Sequence, residues 1–217
     1  MKLISTKTMR RMIVAGAALI FSVSTAAIAQ YGGTQILDHA ALHPPVGAKV
    51  AIVEFADLQC PACAHANPIL EQAAARYHIP LVRHDFLIPG HTWNADAAVN
   101  ARWFDAHNKA LGESYRDAVF ANQTSIYNQG TLHQFTAKFA ASHGVALPFA
   151  VDPQGKLRAL VDADTNLGRR TGIQGTPAIF VVTAGGHGAP YIEVQNVDRD
   201  LYRAIDQALS DTRGGKR

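Results

Sequence analysis

The chain holds two cysteines, and the segment around them, Cys60-Pro61-Ala62-Cys63, restricts the fold more than any other feature of the sequence. Upstream, Lys49 to Phe55 reads Lys-Val-Ala-Ile-Val-Glu-Phe, a nearly continuous apolar run of strand length, as expected of a central strand covered on both faces. Downstream, His65 to Tyr77 is rich in Ala, Leu, Glu and Gln and predicts a helix with a bend at Pro68. Leu81 to Phe86 is strand-like again, as a β-α-β crossover requires. The short link Ala56-Asp57-Leu58-Gln59 therefore sets Cys60 where a strand gives way to a helix N-terminus.

Three uses of such a pair compete. A bridge across two intervening residues closes so small a loop that it constrains little of the unfolded chain, so stapling explains it poorly. Half of a zinc site needs two more ligands, which with no other cysteine must come from the ten histidines or from carboxylates. Redox activity needs only the pair and its position. A free thiol of pKa ~8.5 is about 3% thiolate at pH 7, and the thiolate is the attacking species. The helix field supplies at most ~2 kcal/mol, or about 1.5 pKa units. A larger depression requires hydrogen bonds from the backbone N–H groups of Ala62 and Cys63, which a helix start can provide. Pro61 costs little in that first turn, because its missing N–H would have had no intrahelical partner.

With 217 residues, 48% hydrophobic and 17% charged, the chain is long enough for a sizeable core and too apolar to be disordered. Its formal charge of +3 suggests an acidic partner until position is considered. Lys2, Lys7, Arg10 and Arg11 precede an apolar run from Met12 to Ile20, and Ala27-Ile28-Ala29 ahead of Gln30 is a small-x-small cleavage site. Residues 1–29 thus read as a secretory signal peptide cleaved near Ala29/Gln30. The twenty basic residues less these four leave 16 against 17 acidic ones, a net charge of −1, so nucleic acid is not the expected partner. Arg10-Arg11 followed by Ile13-Val14 also fits a twin-arginine export pattern; both routes end in the periplasm or otherwise outside the cytoplasm.

Val53-Glu54-Phe55-Ala56-Asp57-Leu58-Gln59-Cys60-Pro61-Ala62-Cys63 and the distant Gly175-Thr176-Pro177-Ala178-Ile179-Phe180-Val181-Val182 resemble the DsbA-like group of thioredoxin-fold disulfide oxidoreductases. The resemblance implies Cys60 and Cys63 as the redox pair and a cis Thr176–Pro177 bond facing it. Read alone, Pro177 is equally a proline at a strand start. Glu54, six residues before Cys60, is similar in placement to the family's buried acid, which implies a raised pKa and a proton relay towards Cys63; the other reading is a glutamate at a strand end reaching solvent. Where strong oxidants of the group carry histidine between the proline and the second cysteine, this chain has Ala62, which points to a more moderate potential. About twenty residues separate Gln30 from the first strand, too few for the N-terminal dimerisation domain of the related isomerases, so a monomer is expected.

Asn94–Leu111, Glu113–Ala121, Leu132–Ala141 and Lys156–Arg170 read as helices, with Gly112 as a break, and Ala97, Ala98, Ala101 and Phe104 are spaced for packing. Residues 30–217 are therefore expected to form one α/β thioredoxin-like domain, its central mixed sheet flanked by helices, with a helical insertion at about 88–172 between the β-α-β half and a closing hairpin and helix. Ala178–Val182 and Tyr191–Val194 make the hairpin, Leu201–Leu209 the helix, and the loop Gly185-Gly186-His187-Gly188 lacks the residues of a phosphate cradle. The expected function is exchange of disulfides with cysteine-containing exported proteins, as disulfide donor, with Cys60 and Cys63 catalytic and Glu54, Pro61, Ala62, Thr176 and Pro177 in support. No cofactor or resident metal is called for. The resemblance implies a membrane redox partner, either a quinone-linked oxidant or an electron donor. The alternatives are a periplasmic disulfide reductase and a cysteine-based copper-handling module, the latter weakened because all three methionines precede residue 30.

Overall fold

The computed structural model describes residues 36–185 and 188–213, so the segment 1–29 expected to be a signal peptide and His187 lie outside the described residues. Strand β1 (Val50–Ala56) leads through Asp57–Cys60 into helix α1 (Pro61–Tyr77), which runs through Pro68 without interruption, and then to β2 (Leu81–Asp85). Helices α2 (Asn94–His107), α3 (Lys109–Ala121), α4 (Gln129–Ser142) and α5 (Lys156–Thr171) follow. Strands β3 (Ala178–Thr183) and β4 (Tyr191–Glu193) and helix α6 (Val197–Arg213) close the fold. The sheet has the order β2-β1-β3-β4, with β1 parallel to β2 and antiparallel to β3. This is the α/β arrangement expected, a mixed sheet flanked by helices. Among the described residues no helix is long and apolar enough to cross a membrane.

Alternation along β1 distributes its side chains between two apolar layers. Val50 and Ile52 pack with Ala66, Leu70 and Ala73 of α1 and with Leu201, Ile205 and Ala208 of α6. Ala51, Val53 and Phe55 face the other way, onto Phe86, Phe180, Val182 and Leu167. Helix α5 can lie this close because Gly168 has no side chain: a Cβ there would stand 2.5 Å from the Phe86 ring. By the same alternation Glu54 falls on the α1 side, behind the cysteines.

A third apolar cluster joins the cysteines to the helical segment. Leu58, Cys60 and Cys63 pack with Trp93, Ala97, Ala101, Phe104, Tyr115 and Phe139. The helical break differs from the one expected at Gly112. It falls at Asn108, whose side chain accepts from Ala110 N at 2.9 Å and so starts α3. Gly112 lies inside α3, where its bare backbone lets Asp105 come close enough to meet Arg116 at 2.6 and 2.8 Å. Side-chain capping and tight helix packing outweigh the intrinsic reluctance of glycine to be helical.

Candidate active site

Cys60 is the N-cap residue of α1, in extended backbone, with Pro61 and Ala62 exposed beside it. Its sulfur is mostly covered and lies 3.4 Å from the backbone oxygen of Thr176, 116 residues away, to which the thiol donates. Thr176 immediately precedes Pro177, and the bond between them is cis. The two segments singled out in the sequence, Cys60-Pro61-Ala62-Cys63 and Thr176-Pro177, therefore meet at one sulfur. Cys63, one turn into the helix, is completely buried, and the two thiols are not bonded to each other.

Their chemical environments are opposite. Hydrogen bonding from Cys63, opposed by burial and helped by the Thr176 side chain and by the backbone N–H groups of Cys63 and Ala62, lowers the Cys60 thiol to about 5. At pH 7 about 99% of such a thiol is thiolate. Cys63 moves the other way: the same hydrogen bond to Cys60, burial and the nearby Glu54 charge all hold it as a neutral thiol. One sulfur is thus prepared to attack or depart as an anion, and the other to keep a proton.

Glu54 is fully buried, and burial raises it to about 7, opposed by Arg83. Parallel pairing places Glu54 opposite Arg83 on β2, and Arg83 Nε stands 3.4 Å from Glu54 Oε2. Neither carboxylate oxygen nor that nitrogen has a hydrogen bond. The other guanidinium nitrogens of Arg83 are taken by Glu113, by Asn67 at 2.6 Å and by Glu71 at 3.2 Å. Arg83 is a site residue that sequence reading missed; its signal is the parallel register, which only the folded sheet reveals.

Three more residues near the pair also went unread. Gln123, in the short turn between α3 and α4, donates to the backbone oxygens of Leu58 at 2.9 Å and Cys60 at 3.0 Å. Gln59 accepts from Trp93 N at 2.9 Å. Asp57, buried, accepts from Gln59 N, Ile88 N and Asn94 Nδ2 at 2.7–2.8 Å. His65, five residues past Cys60, is turned outward to Asp198 at 3.0 Å. Among the described residues no group of three or more His, Cys, Asp or Glu side chains stands together as a metal-holding set.

The family model described as Thioredoxin matches residues 46–188. No curated protein matches the chain. Among solved structures, BdbD from Bacillus subtilis is similar with a TM-score of 0.62 at 17% identity, over 82% of this chain and 97% of that one. Wolbachia pipientis alpha-DsbA1 is similar with a TM-score of 0.61 at 15% identity, over 79% and 93%. The thiol-disulfide exchange protein alpha-DsbA2 of the same organism gives 0.59 at 16%, over 76% and 84%. At such identities these are likenesses of fold.

Proposed function

This chain belongs to the thioredoxin family, and from that premise we propose that it is an exported thiol-disulfide oxidoreductase acting as a disulfide donor to cysteine-containing proteins. The observation that carries the reading is the asymmetry of the pair: Cys60 lowered to about 5 at a helix start and Cys63 held protonated behind it. That two of the similar folds are named DsbA proteins, one of them a thiol-disulfide exchange protein, supports it.

In the donor direction a substrate thiolate attacks Cys60 Sγ of the oxidised pair. The Cys60–Cys63 bond breaks, a mixed disulfide forms, and Cys63 leaves with the electron pair. Because its surroundings disfavour an anion, Cys63 takes up a proton, and we assign that proton to Glu54, which holds one up to about pH 7 and whose charge acts on Cys63. A second substrate thiolate then attacks the substrate sulfur of the mixed disulfide, and Cys60 departs as a thiolate of low pKa, a good leaving group. Two electrons have passed to the pair, to be taken up by a membrane redox partner. A depressed Cys60 pKa favours the reduced pair over the disulfide, which is what makes a donor rather than a reductant.

The test is equilibration of the protein lacking residues 1–29 in glutathione buffers, with thiol trapping to count oxidised Cys60/Cys63. A potential above about −200 mV supports the donor reading, while one near about −270 mV replaces it with a reductase charged by a membrane electron donor. A pair that does not cycle overturns the enzyme reading altogether.

A further inference from the structure

Asp57 stands three residues before Cys60, in what the sequence presents as a mere link, yet its surroundings are those of a built feature. Its side chain is buried, and each oxygen is used. Oδ1 accepts from Gln59 N at 2.8 Å, and Oδ2 accepts from Ile88 N at 2.8 Å and Asn94 Nδ2 at 2.7 Å. His91 Nδ1 stands 3.1 Å from Oδ2, on a ring that is partly exposed. Three of these four groups lie 31 to 37 residues away, in the segment that leads from β2 into α2. Charge-assisted hydrogen bonds of this kind are roughly twice as strong as neutral ones, and a carboxylate gripped by several donors is fixed in place.

The main chain of the same residue touches both cysteines. The Asp57 carbonyl accepts from Cys60 N at 3.0 Å. Its backbone N–H also acts on Cys63, where it favours the anion against the burial and the Cys60 hydrogen bond that hold the thiol neutral. Whatever fixes the Asp57 peptide thereby fixes the turn that presents the two sulfurs. The fixing groups belong to the 88–94 segment, and Asn94 binds the carbonyl of Ile88 as well, at 3.2 Å, so the clamp is tied at both ends. Gln123 holds the following carbonyls, Leu58 and Cys60, from the other side.

We propose that Asp57 is a positioning residue for disulfide exchange, its carboxylate anchoring the Cys60 turn to the Ile88–Asn94 segment so that the backbone donors around the sulfurs stay aimed. The proposal rests on the oxidoreductase reading for its purpose, but its test does not depend on turnover. The readout is the pH midpoint of the Cys60 thiolate, followed by its absorbance near 240 nm in the reduced protein, with thermal unfolding measured alongside.

Two variants separate the explanations. Asp57→Asn removes the charge and sets an amide against donors; Asn94→Ala removes one donor with no change of charge. Positioning predicts that the midpoint rises in both, by about half a unit, which is about a threefold loss in the thiolate-to-thiol ratio. If Asp57 acted only as a nearby negative charge, Asp57→Asn would lower the midpoint and Asn94→Ala would leave it alone, and the proposal would fall. It would fall equally if both variants melted earlier with the midpoint unmoved. Should Asp57→Asn not fold, Asn94→Ala decides by itself. A parent protein that fails to cycle with glutathione, while its variants shift as described, would overturn the oxidoreductase reading and leave the anchoring role standing.

Discussion

Two buried carboxylates precede Cys60, six and three residues before it, and they are treated in opposite ways. Asp57 has its oxygens filled by three hydrogen bonds of 2.7–2.8 Å. Glu54 has none, and faces Arg83 at 3.4 Å. The first is what a carboxylate looks like when the fold uses it as a fastening. The second is governed by desolvation, which raises it to about 7, where a carboxyl can hold or release a proton near neutral pH. Burial is common to both; what sets them apart is the hydrogen-bond donors that meet Asp57 and not Glu54.

The largest expected difference between them is in stability. Asp57→Leu strands Gln59 N, Ile88 N and Asn94 Nδ2 without partners, and at ~1–3 kcal/mol for each buried donor the loss should be about 3 kcal/mol or more. Glu54→Leu removes a buried charge that has no hydrogen bonds, while Arg83 keeps Glu71, Glu113 and Asn67. Removing one partner of a buried pair is costly when it strands the other charge, but Arg83 stays paired with Glu71 and Glu113, so the loss should be smaller than that of Asp57→Leu. Urea denaturation of the two variants beside the parent checks this. Equal losses would erase the distinction.

The contrast also shows what a sequence can and cannot display. The strand before the cysteines, the helix after them and the packing of Ala97, Ala98, Ala101 and Phe104 were legible because each depends on local periodicity. The family and the fold were legible because Cys60-Pro61-Ala62-Cys63 and Thr176-Pro177 are short and specific. Arg83 was not, since its place beside Glu54 follows from the register of two parallel strands, and register is a property of the assembled sheet. Nor was Asp57, whose partners Ile88, His91 and Asn94 carry no common spacing with it. The break at Asn108 was missed for the opposite reason: glycine at 112 is a strong local signal, and the packing of Asp105 against Arg116 overrode it.

A second expected effect is the dependence of stability on pH. The folded pKa of Glu54, about 7, exceeds its ordinary value of 4.5, so between these limits the native state binds more protons than the unfolded one. This contribution is therefore complete below about pH 4.5 and declines as pH rises to about 7, by up to about 3 kcal/mol in all. Other groups titrate in the same interval, so the informative quantity is the difference between the parent and Glu54→Gln, which keeps the shape and abolishes the titration. That difference should change steadily from pH 4.5 to 7 and be flat above it. Parallel curves would mean that Glu54 does not carry the proton assigned to it.

The smallest effect is kinetic and bears on why Glu54 is left without donors. If it delivers the proton to Cys63 as that sulfur departs, Glu54→Gln should slow resolution of the pair at neutral pH by about 100-fold, the lower end of what a placed general acid contributes and equal to about 2.7 kcal/mol. The same variant should lose the fall in rate that the parent shows as pH rises past about 7, where Glu54 has given up its proton. Asn94→Ala, which loosens the neighbouring anchor, should keep that pH dependence whatever it does to the rate. Stopped-flow exchange with a small thiol, followed by tryptophan fluorescence of the buried Trp93 beside the pair, would resolve the two behaviours. A pH dependence that survives Glu54→Gln would transfer the proton to water, and Glu54 would then serve only through the field it exerts on the sulfurs.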